Sequence, residues 1–239
     1  MQSGLYVALS AQVALQNRLD TIAQNVANGS SAGYRGTEMK FDAVMSKMSG
    51  PQVSFVSSGS AVIKQSSGQF VKTGNPLDVA VKGNGWLSIS TPNGQAYTRD
   101  GRMRMTTAGN LVSMTGAPIL DAGGGAIQLD PTAGQPNIAE DGTITQGQSR
   151  AGVLGLFTLP GNAQLSRVEG DAFTSSVPGA PILDTAGNGV VQGFIEQSNV
   201  DPMTEMTRLI YVQRAFDGVS STMESAESSL KNAIQTLGA

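Results

Sequence analysis

The chain has 239 residues, 39% of them apolar and 14% charged, with a net charge of -3. It can bury a core and lacks the basic excess that nucleic-acid binding demands. Cysteine and histidine are both absent, which removes disulfides, thiol nucleophiles, most zinc sites and the commonest general base, so enzyme chemistry would have to rest on carboxylates.

From about Ser3 to Asn28 the text is helical and free of proline. Leu5, Leu19 and Val26 fall on one heptad position and Ala8, Leu15 and Ile22 on the other. A repeat of about 3.5 keeps one seam of a helix facing a partner helix. Leu9, Val13 and Ala14 add apolar surface off that seam, which implies several neighbours. Asn25 and Asn28, three apart, share a face and carry uncharged amides suited to bonding backbone in a crowded interface. Asn28-Gly29 predicts a left-handed helix stop. The first basic residue is Arg18 and polar side chains interrupt the apolar ones, so neither a cleavable signal nor a membrane span is expected.

Residues 1–32 are therefore assigned to an N-terminal helix, and 33–75, rich in Ser, Gly and Lys, to an extended linker with short strands near Val53–Val56 and Ala61–Ile63. Residues 76–192 alternate short apolar runs with turn signals such as Asn93-Gly94, Asp100-Gly101 and Asp141-Gly142, the pattern of a mainly antiparallel β domain. Within it, Leu77–Val81 and Trp86–Ile89, joined across Gly83-Asn84-Gly85, are predicted to form a buried hairpin. Residues 116–121 and 179–184 both read Gly-Ala-Pro-Ile-Leu-Asp, a shared strand-and-turn solution or a duplicated hairpin. Asp100, Asp121, Asp141 and Asp184 each sit at a predicted turn, where Asp bonds its own backbone, rather than as an acid–base pair. No metal or cofactor site is predicted: the calcium-like stretch from Asp184 has Ile195 where a bidentate Glu belongs.

Residues 193–239 hold a return segment and a second helix. Asp201 is its expected cap and Pro202 its first residue, and Leu209, Phe216, Met223, Leu230 and Leu237 follow seven apart. The fold class is α+β: N- and C-terminal helices paired as a coiled-coil-like element, with a mainly antiparallel β domain between them.

Three blocks carry a resemblance. Ile22-Ala-Gln-Asn25-Val-Ala-Asn28, followed by Gly33-Tyr34-Arg35, closely resembles the signature near the N-terminus of bacterial flagellar rod and hook proteins. Thr73-Gly-Asn75-Pro76-Leu77-Asp78-Val-Ala-Val-Lys-Gly-Asn-Gly-Trp86, with Tyr97-Thr-Arg-Asp-Gly-Arg102 after it, and Gln192-Gly-Phe-Ile-Glu-Gln-Ser198-Asn199-Val200 match in the expected order. The resemblance implies a non-catalytic subunit of the flagellar basal-body rod in the periplasm, of proximal-rod type on length, with the distal rod as the alternative and a rod-associated peptidoglycan hydrolase less favoured. It implies export by the flagellar type III apparatus, with copies of itself and other rod proteins as partners. It also implies assembly through the terminal helices, whose seam residues form the interface together with Asn25 and Asn28. Isolated helices with wet apolar seams are marginal in water, so both ends are expected to order on assembly.

Overall fold

The computed structural model describes residues 2–45, 54–57, 59–168, 170–182 and 187–237, the side chains of residues 2, 3, 43–45, 54, 55, 230 and 237 excepted. Their contacts divide the chain into two compact units. One comprises Met1–Gly29, Gly36–Lys64 and Val200–Ala239, and the other Ser30–Arg35 with Gln65–Asn199. The stretch 33–75 is thus shared between the two.

The first, helical unit is built on α1 (Gln2–Ala27) and α2 (Pro202–Leu237), which run antiparallel and are in contact. Gln12 Nε2 donates to Ser220 Oγ at 3.3 Å, and Asn25 Nδ2 approaches Glu205 Oε2 at 3.5 Å. The start of α2 follows from its cap: Asp201 Oδ1 accepts from the Met203 N–H at 3.1 Å, and Pro202 occupies a position that needs no donor. The end of α1 departs from expectation. Neither Asn28 nor Gly29 has a positive φ; Asn28 Nδ2 instead donates back to Gln24 O at 2.9 Å. Gly29 serves close approach, since a Cβ there would lie 2.6 Å from Pro202 Cγ. Against α1 lies a short antiparallel arm in which Thr37–Lys40 pairs with Ser60–Ile63 and Ala43–Met45 with Ser54–Val56. The apolar runs foreseen there coincide with two of these strands, apart from Val53, which lies outside the described residues.

The β unit is antiparallel throughout its named pairings. Six strands lie in the order Leu165–Arg167, Ala172–Ser175, Gly94–Thr98, Gly85–Thr91, Leu156–Thr158 and Ala180–Pro181. Pro136–Ile138, Thr143–Gln146 and Ser149–Val153 form a three-stranded sheet, and two-stranded ladders complete the unit. Val79, Val81, Leu87, Leu111, Ile119 and Ile144, all at 0% exposure, centre one continuous apolar core.

The predicted hairpin across Gly83-Asn84-Gly85 does not form as a pair. Val79–Lys82 pairs instead with Gly189–Gln192, far along the chain, while Gly85–Thr91 turns back on Gly94–Thr98. Backbone acceptors next to the expected turn are already taken, since Arg99 donates to Val81 O at 3.0 Å and Gly83 O at 2.7 Å. The two Gly-Ala-Pro-Ile-Leu-Asp segments are extended and pair differently: Ile119 bridges Ile89 in the core, whereas Ala180–Pro181 is an edge strand and residues 183–184 lie outside the described residues. Asp121 and Asp141 close their own turns, accepting from Gly123 and Gly125 at 2.8 Å and from Thr143 at 2.9 Å. Asp100 does the same with the Arg102 N–H at 3.1 Å, while Asp184 lies outside the described residues.

Candidate functional site

Two features stand out, one in each unit. In the helical unit the heptad residues fall into the intrachain contact to different depths. Ile22 is buried; Ala8, Leu15, Leu19 and Val26 on α1 and Leu209, Phe216 and Met223 on α2 are half-buried; Leu5 is exposed. The side chains of Leu230 and Leu237 lie outside the described residues. Near the start of α1 the helices part around a groove of about 350 Å³ lined by Leu5, Ala8, Met223, Ala226 and Ala233.

What the contact between the helices leaves in water is one apolar patch on each helix, at opposite ends of the pair. On α1 it consists of Leu5, Tyr6, Leu9 and Val13; on α2, of Met203, Met206, Ile210 and Tyr211, with Tyr211 68% exposed. The spacing Met203, Met206, Ile210 is one stripe of a helix. The seven-residue clock alone did not mark these α2 residues, although their three-and-four spacing is legible in the text.

Asn25 is buried, and its amide treats Thr37 as a neighbouring strand would: Oδ1 accepts from the Thr37 N–H at 2.9 Å and Nδ2 donates to Thr37 O at 2.8 Å. Asn28 bonds its own helix. Both amides therefore serve backbone within this chain. Beside Asn25, buried Glu205 receives Arg208 Nη1 at 2.6 Å and lies 4.0 Å from Lys64 Nζ.

The β unit holds a charge cluster that sequence reasoning passed over. Glu196 is 1% exposed and meets two guanidinium groups that are equally hidden, with Arg35 Nη2 at 2.8 Å from Oε1 and Arg99 Nη1 at 3.2 Å from Oε2. The Arg35 contact is close without being aligned as a hydrogen bond, and Arg35 Nε and Arg99 Nε have no acceptor among the described residues. They face π-density instead: Trp86 lies 5.8 Å from Arg35 Cζ and 5.3 Å from Arg99 Cζ. Trp86 meets Phe173 edge-on at 5.7 Å, and Arg167 lies over Phe173 at 4.7 Å and Tyr34 at 4.2 Å. Burial pulls Arg99 down to about 10 against the opposing attraction of Glu196, and the charge of Arg35 adds to the fall. Arg35 is lowered in the same way by burial, with Glu196 again opposing. Both remain cations at neutral pH.

The motif residues converge on this cluster. Gly33, at φ +70°, donates its N–H to Glu196 O at 2.7 Å, and the Gly68 N–H donates to Glu196 Oε1 at 2.9 Å. Tyr34 O accepts from the Asn199 N–H at 3.3 Å; Asn199 Nδ2 reaches Ser66 O at 2.8 Å, and Arg35 Nη1 donates to the same carbonyl. Ser198 precedes Asn199 in this return segment. The second motif is a turn of its own: Asn75 Nδ2 donates to Asp78 Oδ1 at 2.9 Å, Asn75 Oδ1 accepts from the Leu77 N–H at 3.2 Å, and Pro76 O accepts from Gln192 Nε2 at 2.8 Å. These groups hold backbone.

Three family descriptions match successive parts of the chain: "Flagella basal body rod protein" over residues 5–35, "Flagellar hook protein FlgE/F/G D1 domain" over 80–146, and "Flagellar basal body rod FlgEFG protein C-terminal" over 191–236. The chain is 45% identical over 238 residues to the flagellar basal-body rod protein FlgF of Mesorhizobium japonicum, covering 100% of this chain and 99% of that one. It is 44% identical, with the same coverage, to FlgF of Rhizobium meliloti. Its identity to the flagellar basal-body rod protein FlgG of Bacillus subtilis is 28%, over 98% of each chain.

Proposed function

The chain belongs to the flagellar basal-body rod protein family and is a structural subunit of the rod, not an enzyme; from that premise we propose that it occupies the proximal rod and polymerises helically through its terminal helices. The single observation that carries the mode of assembly is the exposed apolar patch that each terminal helix keeps in water, although the two helices already touch. The identities of 45% and 44% to FlgF, against 28% to a FlgG, support the proximal rather than the distal position.

In this reading the heptad residues hold the coiled-coil-like pair together, and the two outer patches, Tyr6 and Leu9 at one end and Met203 and Ile210 at the other, meet other rod subunits. Copies of itself and other rod proteins are the partners, the type III apparatus carries the chain out, and the finished rod crosses the periplasm to pass torque from motor to hook. The helical ends gain their full order from that company, because two apposed helices with one wet apolar face each are marginal alone.

Introducing Leu19→Asp or Phe216→Asp places an unpaired charge in a packed seam at a cost on the order of several kcal/mol. Ile210→Asp places one on the outer stripe. All three should remove the protein from isolated basal bodies and abolish swimming, while the β unit still folds. Normal motility with Ile210→Asp would refute assembly through the outer stripe. Normal motility with the seam variants would refute the helical mechanism altogether.

A further inference from the structure

In the helical unit, a polar pocket of about 110 Å³ opens between α1, the Thr37–Lys40 strand and α2, and its lining includes Arg18, Glu38, Lys64, Glu205 and Arg208. Three cations thus surround it against two carboxylates. Glu205, the buried one, already receives Arg208 at 2.6 Å and has Lys64 at 4.0 Å. Arg18 has an exposed side chain and takes part in none of the ion pairs among the described residues. Glu38 is likewise exposed and enters none of those ion pairs, so the lining keeps a net single positive charge, carried by three cationic side chains.

The opposite charge lies elsewhere on the same unit. From Phe216 to Leu230, α2 carries Asp217, Glu224 and Glu227 and no Lys or Arg. Asp217 accepts from Gln213 Nε2 at 3.2 Å, whereas Glu224 and Glu227 are exposed and enter no ion pair among the described residues. Being three apart on a helix, they present two carboxylates on one side. These acids cannot reach the pocket of their own chain. Gln12 bonds Ser220, Arg18 lies six residues further along α1, and Glu224 lies four residues beyond Ser220 in the opposite axial direction. At roughly 1.5 Å per residue the two are separated by about 15 Å along the bundle.

We infer that the basic pocket at Arg18, Lys64 and Arg208 docks the acidic segment of α2, Glu224 and Glu227, from a second copy of this chain. The charge complementarity of two separate patches on one unit favours that occupant. Because the patches differ, the contact is heterologous: each copy uses its acids on one neighbour and its pocket on the next, which extends a filament instead of closing a dimer. The inference rests on the rod-subunit reading and deepens it by assigning polarity to the stacking of copies.

The chain has no cysteine, so Arg18→Cys with Glu224→Cys provides a clean test. A disulfide needs Cα atoms within about 7 Å, which the axial offset forbids inside one copy. Oxidised basal bodies carrying the double variant should give a ladder of cross-linked copies in non-reducing gels, and each single variant should give none. If the double variant is incorporated yet runs wholly as monomer, copies do not dock this way, and the rod-subunit reading survives. If either single variant cross-links to itself, the contact is isologous and the inference fails. Loss of the unaltered chain from basal bodies would overturn both readings. If the double variant is not incorporated, charge exchange decides: Arg18→Glu and Glu224→Arg should each lower incorporation at least several-fold, and the two together should restore it. Single exchanges that incorporate normally, or a combination no better than either, overturn the docking.

Discussion

The two units solve the burial problem in opposite ways. The β unit closes on itself: core side chains such as Val79, Leu87, Leu111 and Phe173 are at 0% exposure, and the buried Arg35, Arg99 and Glu196 are paired with one another or stacked on Trp86. The helical unit half-buries most of its described heptad residues and leaves Tyr6, Leu9, Ile210 and Tyr211 outside. An apolar face of that kind has a cost in an isolated chain and becomes stabilising when another surface covers it, at about 25 cal/mol per Å². One region is thus built for its own stability and the other for company, so a substitution in each should report on a different property.

The sharpest break comes from Glu196→Ala. It leaves two buried guanidinium groups without a counter-charge and should cost about 3–5 kcal/mol in the β unit, read as a lowered urea midpoint of tryptophan fluorescence, since Trp86 is the single reporter. An unchanged midpoint would mean that the aromatic stack alone carries the cluster. Next in size is Gly33→Ala. Its φ of +70° disfavours any Cβ, and the added carbon would run into the backbone of Arg99 and Asp100. A loss of about 1–3 kcal/mol is expected by the same assay.

The smallest effect belongs to the helical unit. Hydrogen bonds from Thr204 Oγ1 and the Met203 N–H hold the Asp201 carboxyl below its usual range. A folded-state pKa that is depressed stabilises fully above the unfolded value, about 3.9, and that contribution disappears as pH falls through the folded value. Circular dichroism should therefore show α2 fraying in acid, and Asp201→Ala should remove that acid-dependent step. An identical acid profile in the variant would assign the fraying to other carboxylates.

Much of this architecture could be read from the chain before any coordinates. The two terminal helices, the Asp201-Pro202 start and the turns at Asp100, Asp121 and Asp141 depend on neighbours within a few residues, where propensity and hydrogen-bond reach decide. The hairpin across Gly83-Asn84-Gly85 was misjudged because a turn signal says nothing about competing partners. Val79–Lys82 gains a better ladder from Gly189–Gln192. The charge cluster was invisible for the same reason. Arg35 and Glu196 meet only after the sheets assemble, and a Glu after Phe194-Ile195 gives no local sign that it faces inward. The outer stripe of α2 flanks the heptad positions at three-and-four spacing, which a seven-residue repeat alone does not mark.

The polypeptide crosses between the units at 29/30, 35/36, 64/65 and 199/200. On the β side, the ends at Tyr34-Arg35, Ser66-Gly68 and Glu196-Asn199 are laced to one another by side-chain and backbone bonds around a single carboxylate. A pull on any one of these strands is shared sideways among the others, so they must be sheared together instead of unzipped singly. A shaft component that is twisted at every turn of a motor would be well served by such a splice.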